Sequence, residues 1–234
     1  MKKISLEKAV ILKNNNKSFA IVSSLQKNNE LVYDPEENNS YFFDNKTVKE
    51  INFLISNNIS KVINFKNENF FINVFQTTSK VIIIGAVHIS QPLSKFLTFM
   101  GYDVFIIEPR VGFADKEKFP NINIISEWPE TALSNININD KTALITLTHD
   151  PKLDDPTLSF ALNTNAFYIG ALGSKKTHSA RIKRLKELGF SDKLLNKISG
   201  PIGLDIKAKT PEEIAISIVA EIILYNNGQS IHEV

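Results

Sequence analysis

Three histidines, His88, His149 and His178, each follow an apolar run and sit among glycine, serine or charged residues. An imidazole titrates near neutral pH, so it can move a proton, hold a metal or bond an anion. His88 closes Gly85-Ala86-Val87-His88, directly after the run KVIII at 80–84. Dinucleotide-binding folds place a G-x-G-x-x-G turn here, but Val87 stands where the second glycine lets backbone approach a pyrophosphate. Glu108 lies near the roughly 20-residue spacing expected of a ribose-binding carboxylate, and Arg110 follows it. The spacing fits a sugar contact or a plain charged loop.

The second cluster is Thr148-His149-Asp150-Pro151, with Asp154 and Asp155 close behind. It suits a general base, a metal site or a loop held by its own hydrogen bonds. The chain has no classical zinc-ligand spacing, so no metal is expected. The third cluster, Gly173-Ser174-Lys175-Lys176-Thr177-His178, reads as a helix entrance with free amides, a positive dipole end and added cations. An anion seat fits it; so does a solvated basic helix start, since Lys183, Arg184 and Lys186 follow. Gly200-Pro201-Ile202-Gly203-Leu204-Asp205 implies tight packing or a ligand wall, with Asp205 bonding its own loop or a ligand. Ser90, Thr148 and Ser174 lack an adjacent triad, and neither G-x-S-x-G nor a Walker A pattern occurs.

A net charge of +2 supplies no broad field for nucleic acid or an anionic membrane, so any basic function is local. Absence of cysteine removes disulfides, thiolate metal sites and cysteine nucleophiles, and points to the cytoplasm. The apolar run at 9–12 is too short for a signal sequence, and none is long enough for membrane insertion.

These residues need a scaffold, and the pattern supplies one. From residue 80, apolar runs at 81–84, 104–107, 122–126, 142–148 and 166–172 alternate with helical segments. Such alternation predicts a Rossmann-like parallel sheet with helices on both faces, an α/β domain over 78–234. A helix at 89–100 precedes Gly101, a short one starts at Pro129, and Asp155-Pro156 is expected to start another. Thr210, Pro211 and Glu213 spell a capping box for the last, which Gly228 ends. Residues 1–77 differ. Runs at 9–13, 18–24, 30–34, 40–44 and 70–75 read as strands and 47–59 as a helix capped by Thr47, a small N-terminal α+β unit. The joint is placed at 76–80.

The ordered motifs GAVHISQPL, EPR, LTHDPKLDD, YIGALGSKKTHSARIKRL, GPIGLDI and TPEEIAISIVAEI resemble the Rossmann domain of the XdhC/CoxI family over 76–234. Members are maturation factors for xanthine and carbon-monoxide dehydrogenases. The resemblance implies an accessory protein that binds molybdenum cofactor (molybdopterin) and assists its insertion into a molybdenum hydroxylase subunit. It implies a site built from Gly85, Val87, His88, Glu108, Arg110, His149, Asp150, Gly173, Ser174, Lys175, His178 and Asp205. Two features depart from the family pattern: many members carry GAGH where this chain has GAVH, and residues 1–77 lack the Gly-Cys-Val-Glu motif of full-length members. A companion Cys-bearing XdhC/CoxI-type protein would supply the missing thiol, and a homo-oligomer is compatible with the same reading. The rival readings are an NAD(P)-dependent oxidoreductase and a protein-interaction scaffold with a vestigial nucleotide pocket.

Overall fold

The structure is a computed structural model that describes residues 3–15, 17–37, 42–110, 112–113 and 115–228. The chain divides into two compact units, Met1–Thr78 and Ser79–Val234.

The first unit runs α1 (Lys3–Asn14), β1 (Phe19–Ser24), β2 (Glu30–Tyr33), α2 (Asn45–Ser56), β3 (Lys61–Phe65) and β4 (Glu68–Phe75). Its four strands form an antiparallel sheet in the order β2-β1-β4-β3. Ile51, Leu54 and Ile55 of α2 pack on Ala20, Val22, Ile63, Ile72 and Val74, while Ala9 and Leu12 of α1 pack with Phe19 and Val32. Residues 9–13 are therefore helical and not a strand. Ala9 and Leu12 share one face at helical spacing, a period that four apolar residues in a row conceal. Of the run at 40–44, residues 40 and 41 lie outside the described residues, and 42–44 form no strand. Phe43 instead joins the aromatic contacts with Phe65 and Phe70, and Asp44 caps α2 by accepting the Thr47 amide at 2.8 Å. Thr47 is the capped residue and not the cap. Strand β3 carries no clear signal because only Ile63 is buried along it.

The second unit runs β5 (Lys80–Ile84), α3 (Ser90–Phe99), β6 (Asp103–Ile107), β7 (Asn123–Ile125), α4 (Pro129–Ser134) and β8 (Thr142–Thr146). It continues through α5 (Pro151–Ala161), β9 (Tyr168–Ala171), α6 (Lys175–Glu187), α7 (Asp192–Leu195), β10 (Ile198–Ser199) and α8 (Pro211–Asn226). All six strands are parallel, in the order β10-β9-β8-β5-β6-β7. Side chains alternate across the sheet: Val81 and Ile83 enter the core under α3 and α8, whereas Ile82 and Ile84 enter the one under α4, α5 and α6. The apolar runs are strands because both faces are covered. The chain runs from β5 to one edge and resumes at β8 toward the other, so the strand order reverses between β5 and β8. Open α/β sheets form their ligand crevice at that point, beyond the carboxyl ends.

Helix α5 begins at Pro151, with Asp150 as its cap, so Pro156 lies inside it and does not start it. Two Asp-Pro pairs in a row carry the same start signal, and the first one sets the helix. The capping box of α8 is present: Thr210 Oγ1 accepts the Glu213 amide at 3.2 Å and Glu213 accepts the Thr210 amide at 3.1 Å. Thr210→Ala is expected to cost about 1 kcal/mol, measured as a shift in the urea midpoint. No shift would mean that tertiary packing alone sets the start of α8. No helix of the described residues is long and apolar enough to cross a membrane.

Candidate functional site

The turn after β5 uses its own backbone donors. The Gly85 amide bonds the Ile107 carbonyl at 2.9 Å, and the Ala86 amide bonds Glu108 Oε2 at 3.0 Å. Ser90 Oγ accepts the Val87 amide at 3.3 Å and donates to the Gly85 carbonyl at 2.6 Å. Gly85 has φ +107, and a Cβ there would fall 2.7 Å from Thr148 Cγ2 on the neighbouring β8 loop. The glycine thus answers to a protein neighbour as well as to its backbone angle.

Glu108 is fully buried and its carboxylate is engaged. Oε1 accepts the Arg110 amide at 3.0 Å and Arg110 Nε at 2.8 Å, while Oε2 accepts Arg110 Nη2 at 2.7 Å besides Ala86. Burial pushes this carboxyl up, but the Arg110 guanidinium and the two amides outweigh it and hold it below the usual range. Arg110 also stacks over the Phe113 ring, 4.4 Å from its centroid. Glu108 therefore braces the β5 turn from inside. Beside the turn lies a cleft of ≈ 350 Å³ lined by Val87, His88, Gln91, Gly112, Phe113 and Lys118. His88 is exposed in it, while Phe113 gives it an aromatic wall and Lys118 a cation.

Across the crevice, Thr148 donates to Asp154 Oδ1 at 2.6 Å and accepts the Asp150 amide at 3.0 Å. Between them His149 is exposed and takes the left-handed backbone, φ +59, a conformation uncommon outside glycine. Asp150 spends its carboxylate on the Lys152 amide at 3.0 Å. Burial pushes the Asp154 carboxyl up, and Thr148 and Arg181 pull against that. The fields of Asp150 and Asp154 also reach Arg110, which brings the loops after β6 and β8 into one electrostatic neighbourhood.

The entrance of α6 keeps more of its donors free than the β5 turn, which leaves the His88, Ile89 and Gln91 amides. Ser174 caps the helix by accepting the Thr177 amide at 3.1 Å. The amides of Gly173, Ser174, Lys175 and Lys176 have no protein acceptor among the described residues. Two exposed lysines beside a positive dipole end cost stability unless an anion compensates them. Asp205 sits close by: its carboxyl is held below the usual range by Lys207, its partner at 2.7 Å, with a smaller pull from Lys175. His178 turns its Nδ1 edge into the protein against the Gly200 backbone, and burial, with Arg181 nearby, pushes its imidazole down.

Behind that entrance, the loop at 200–205 is fixed by packing. Gly203 has φ +92, and a Cβ there would fall 2.3 Å from Ser217 Oγ and 3.3 Å from the Ile218 nitrogen. Glu221 of α8, fully buried, accepts the Tyr168 and Ser199 hydroxyls and the Gly203 amide. Burial and the adjacent carboxylate hold the Tyr168 phenol well above its ordinary range, so it remains a donor.

The motifs single out His88, His149 and the 173–175 segment, all three at carboxyl ends of the sheet. They mark Asp154 beside His149 and Arg181 beside His178 but not the ion pair between them, and they do not reveal Phe113, Lys118 or Glu221. Glu221 had a signal, as the one charge in the apolar stretch of α8 after Glu213; Phe113 and Lys118 sit in a loop without periodicity. Among the described residues no group of three or more His, Asp or Glu could hold a metal ion.

Comparison with known proteins gives one consistent picture. The XdhC Rossmann domain matches residues 81–222. The chain is 31% identical over 156 residues to a probable xanthine dehydrogenase subunit of Bacillus subtilis (strain 168), covering 66% of this chain and 45% of that one. It is also 31% identical over 156 residues to the molybdenum cofactor insertion chaperone PaoD of Escherichia coli (strain K12), covering 67% and 43%. The chain thus spans less than half the length of either curated relative. The crystal structure of a xanthine dehydrogenase from Bacillus halodurans superposes with a TM-score of 0.68 over 95% of this chain and 66% of that one, at 24% identity, a likeness of fold.

Proposed function

This chain belongs to the XdhC family, and we propose that it is a maturation factor that binds molybdenum cofactor as cargo and assists its insertion into a molybdenum hydroxylase. The client would be of the xanthine- or carbon-monoxide-dehydrogenase type, and the work would be done in the cytoplasm. The observation that carries the reading is where the free donors lie. The β5 turn spends its Gly85, Ala86 and Val87 amides inside the protein and leaves those of His88, Ile89 and Gln91, whereas the α6 entrance leaves four amides in a row and adds two exposed lysines. A phosphate, the anionic end of molybdopterin, fits the second place better, because only there do the free amides come with two cations. The flat pterin fits the cleft bounded by Val87 and Phe113, which His88 also lines; in this reading His149 closes the crevice from the β8 side.

The donor set supports recognition through the pterin and its phosphate, since no cluster of side chains among the described residues is arranged to ligate the molybdenum. The sequence contains no cysteine, so a thiol needed for cofactor sulfuration would come from a companion Cys-bearing XdhC/CoxI-type chain. An NAD(P) oxidoreductase is disfavoured on the same geometry: Glu108, the candidate ribose acceptor, has both oxygens occupied by Ala86 and Arg110.

Anaerobic purification should yield protein that carries molybdopterin, or that binds it when supplied and activates an apo-hydroxylase. Calorimetric titration with NAD and NADP should give no binding heat. Failure of both cofactor capture and transfer would sink the assignment, and heat with NAD at micromolar affinity would revive the oxidoreductase.

A further inference from the structure

The Asp154–Arg181 ion pair is almost wholly buried, each side chain 2% exposed. Pairs so placed add little stability over well-packed apolar residues of the same volume. What this one contributes must be sought in what it holds. Asp154 Oδ1 takes the Thr148 hydroxyl, which takes the Asp150 amide, and these two bonds bracket His149 in its left-handed conformation. The other carboxylate oxygen meets Arg181 Nη2 at 3.3 Å, and the same nitrogen donates to the Leu172 carbonyl at 3.0 Å. Leu172 immediately precedes the Gly173-Ser174 entrance of α6. Arg181 Nε and Nη1 are buried with no acceptor among the described residues, so Asp154 and Leu172 locate the guanidinium.

We propose that Asp154 and Arg181 are positioning residues that set the His149 loop and the α6 entrance together, so that both walls of the crevice present one geometry to a ligand. The proposal builds on the crevice being the cofactor site, but its coupling of two loops exists in the free protein and is tested there. Thr148→Val keeps the methyl facing Gly85 and removes the hydroxyl that joins Asp154 to Asp150. Its amide spectrum should show shifts at 172–176 as well as at 148–150, and molybdopterin affinity should fall about tenfold or more in protein that still folds, with a thermal midpoint lower by several degrees from the two lost bonds. Thr148→Ser, which restores the hydroxyl, should recover both. The paired change Asp154→Leu with Arg181→Met should fold and show the same loss; if it does not fold, the Thr148 series decides alone. Shifts confined to 146–154, or unchanged affinity in Thr148→Val, would overturn the proposal. If the wild-type protein binds no molybdopterin, the functional reading fails while the shifts still decide the coupling.

Discussion

Glu221→Leu is expected to lower the stability of the second unit by on the order of 3 kcal/mol, because three donors lose a shared acceptor at about 1 kcal/mol or more each. For a unit of this size that is a fall of roughly 6–12 °C in thermal midpoint. Tyr168, Ser199 and Gly203 belong to β9, β10 and the loop beyond, so one carboxylate on α8 ties three segments of the sheet edge to a helix. Leucine fits the volume but accepts nothing. Glu221→Gln keeps one accepting oxygen and should lose about half as much. Calorimetry on the two variants distinguishes lost acceptors from lost shape, and an unchanged midpoint in Glu221→Leu would refute the account.

The largest functional effect is expected from reversing Lys175 and Lys176 to Glu together. Reversing two unit charges about 8 Å from a phosphate in water-like surroundings changes the interaction by about 2 kcal/mol, roughly a 30-fold loss of affinity. The helix responds with the opposite sign. Acidic residues in a first turn gain about 0.3–1 kcal/mol each from the dipole, offset in part here by Asp205 next to Lys175. Molybdopterin binding should therefore collapse while the thermal midpoint holds. Anaerobic ultrafiltration with fluorescence detection of the oxidised pterin measures the first, and calorimetry the second. Unchanged affinity in a folded double variant would remove the α6 entrance from the site.

How far the sequence could lead is clear from particular residues. Strands β5, β6, β8 and β9 are legible because a strand covered on both faces must be apolar throughout, and few other elements make such runs. Strand β10 is two residues long and α7 four, too short to show any period. In the first unit, α1 hides because apolar residues at 9–12 satisfy a strand and a helix equally. The candidate site divides in the same way. His88, His149 and Ser174 are legible because they follow strands of a fold whose ligands gather there. Glu108 is legible as a position but not as a role: its bond to Ala86 exists only because β5 and β6 are neighbours in parallel register. Arg181 finds Asp154 across 27 residues, a pairing that no local spacing encodes.

The engaged amides of the β5 turn also bear on whether this chain could come to use a dinucleotide. Val87→Gly would give back the consensus letter and the space for a pyrophosphate, yet the Ala86 and Val87 amides would still be held by Glu108 and Ser90. Freeing them means altering Glu108, which unpairs Arg110, and Ser90, which unfastens the Gly85 carbonyl. No single substitution along that route improves dinucleotide binding, and the first steps loosen the turn itself. Selection for NAD use would have to cross several losing intermediates. In this chain the turn acts as a ratchet that holds it away from dinucleotides.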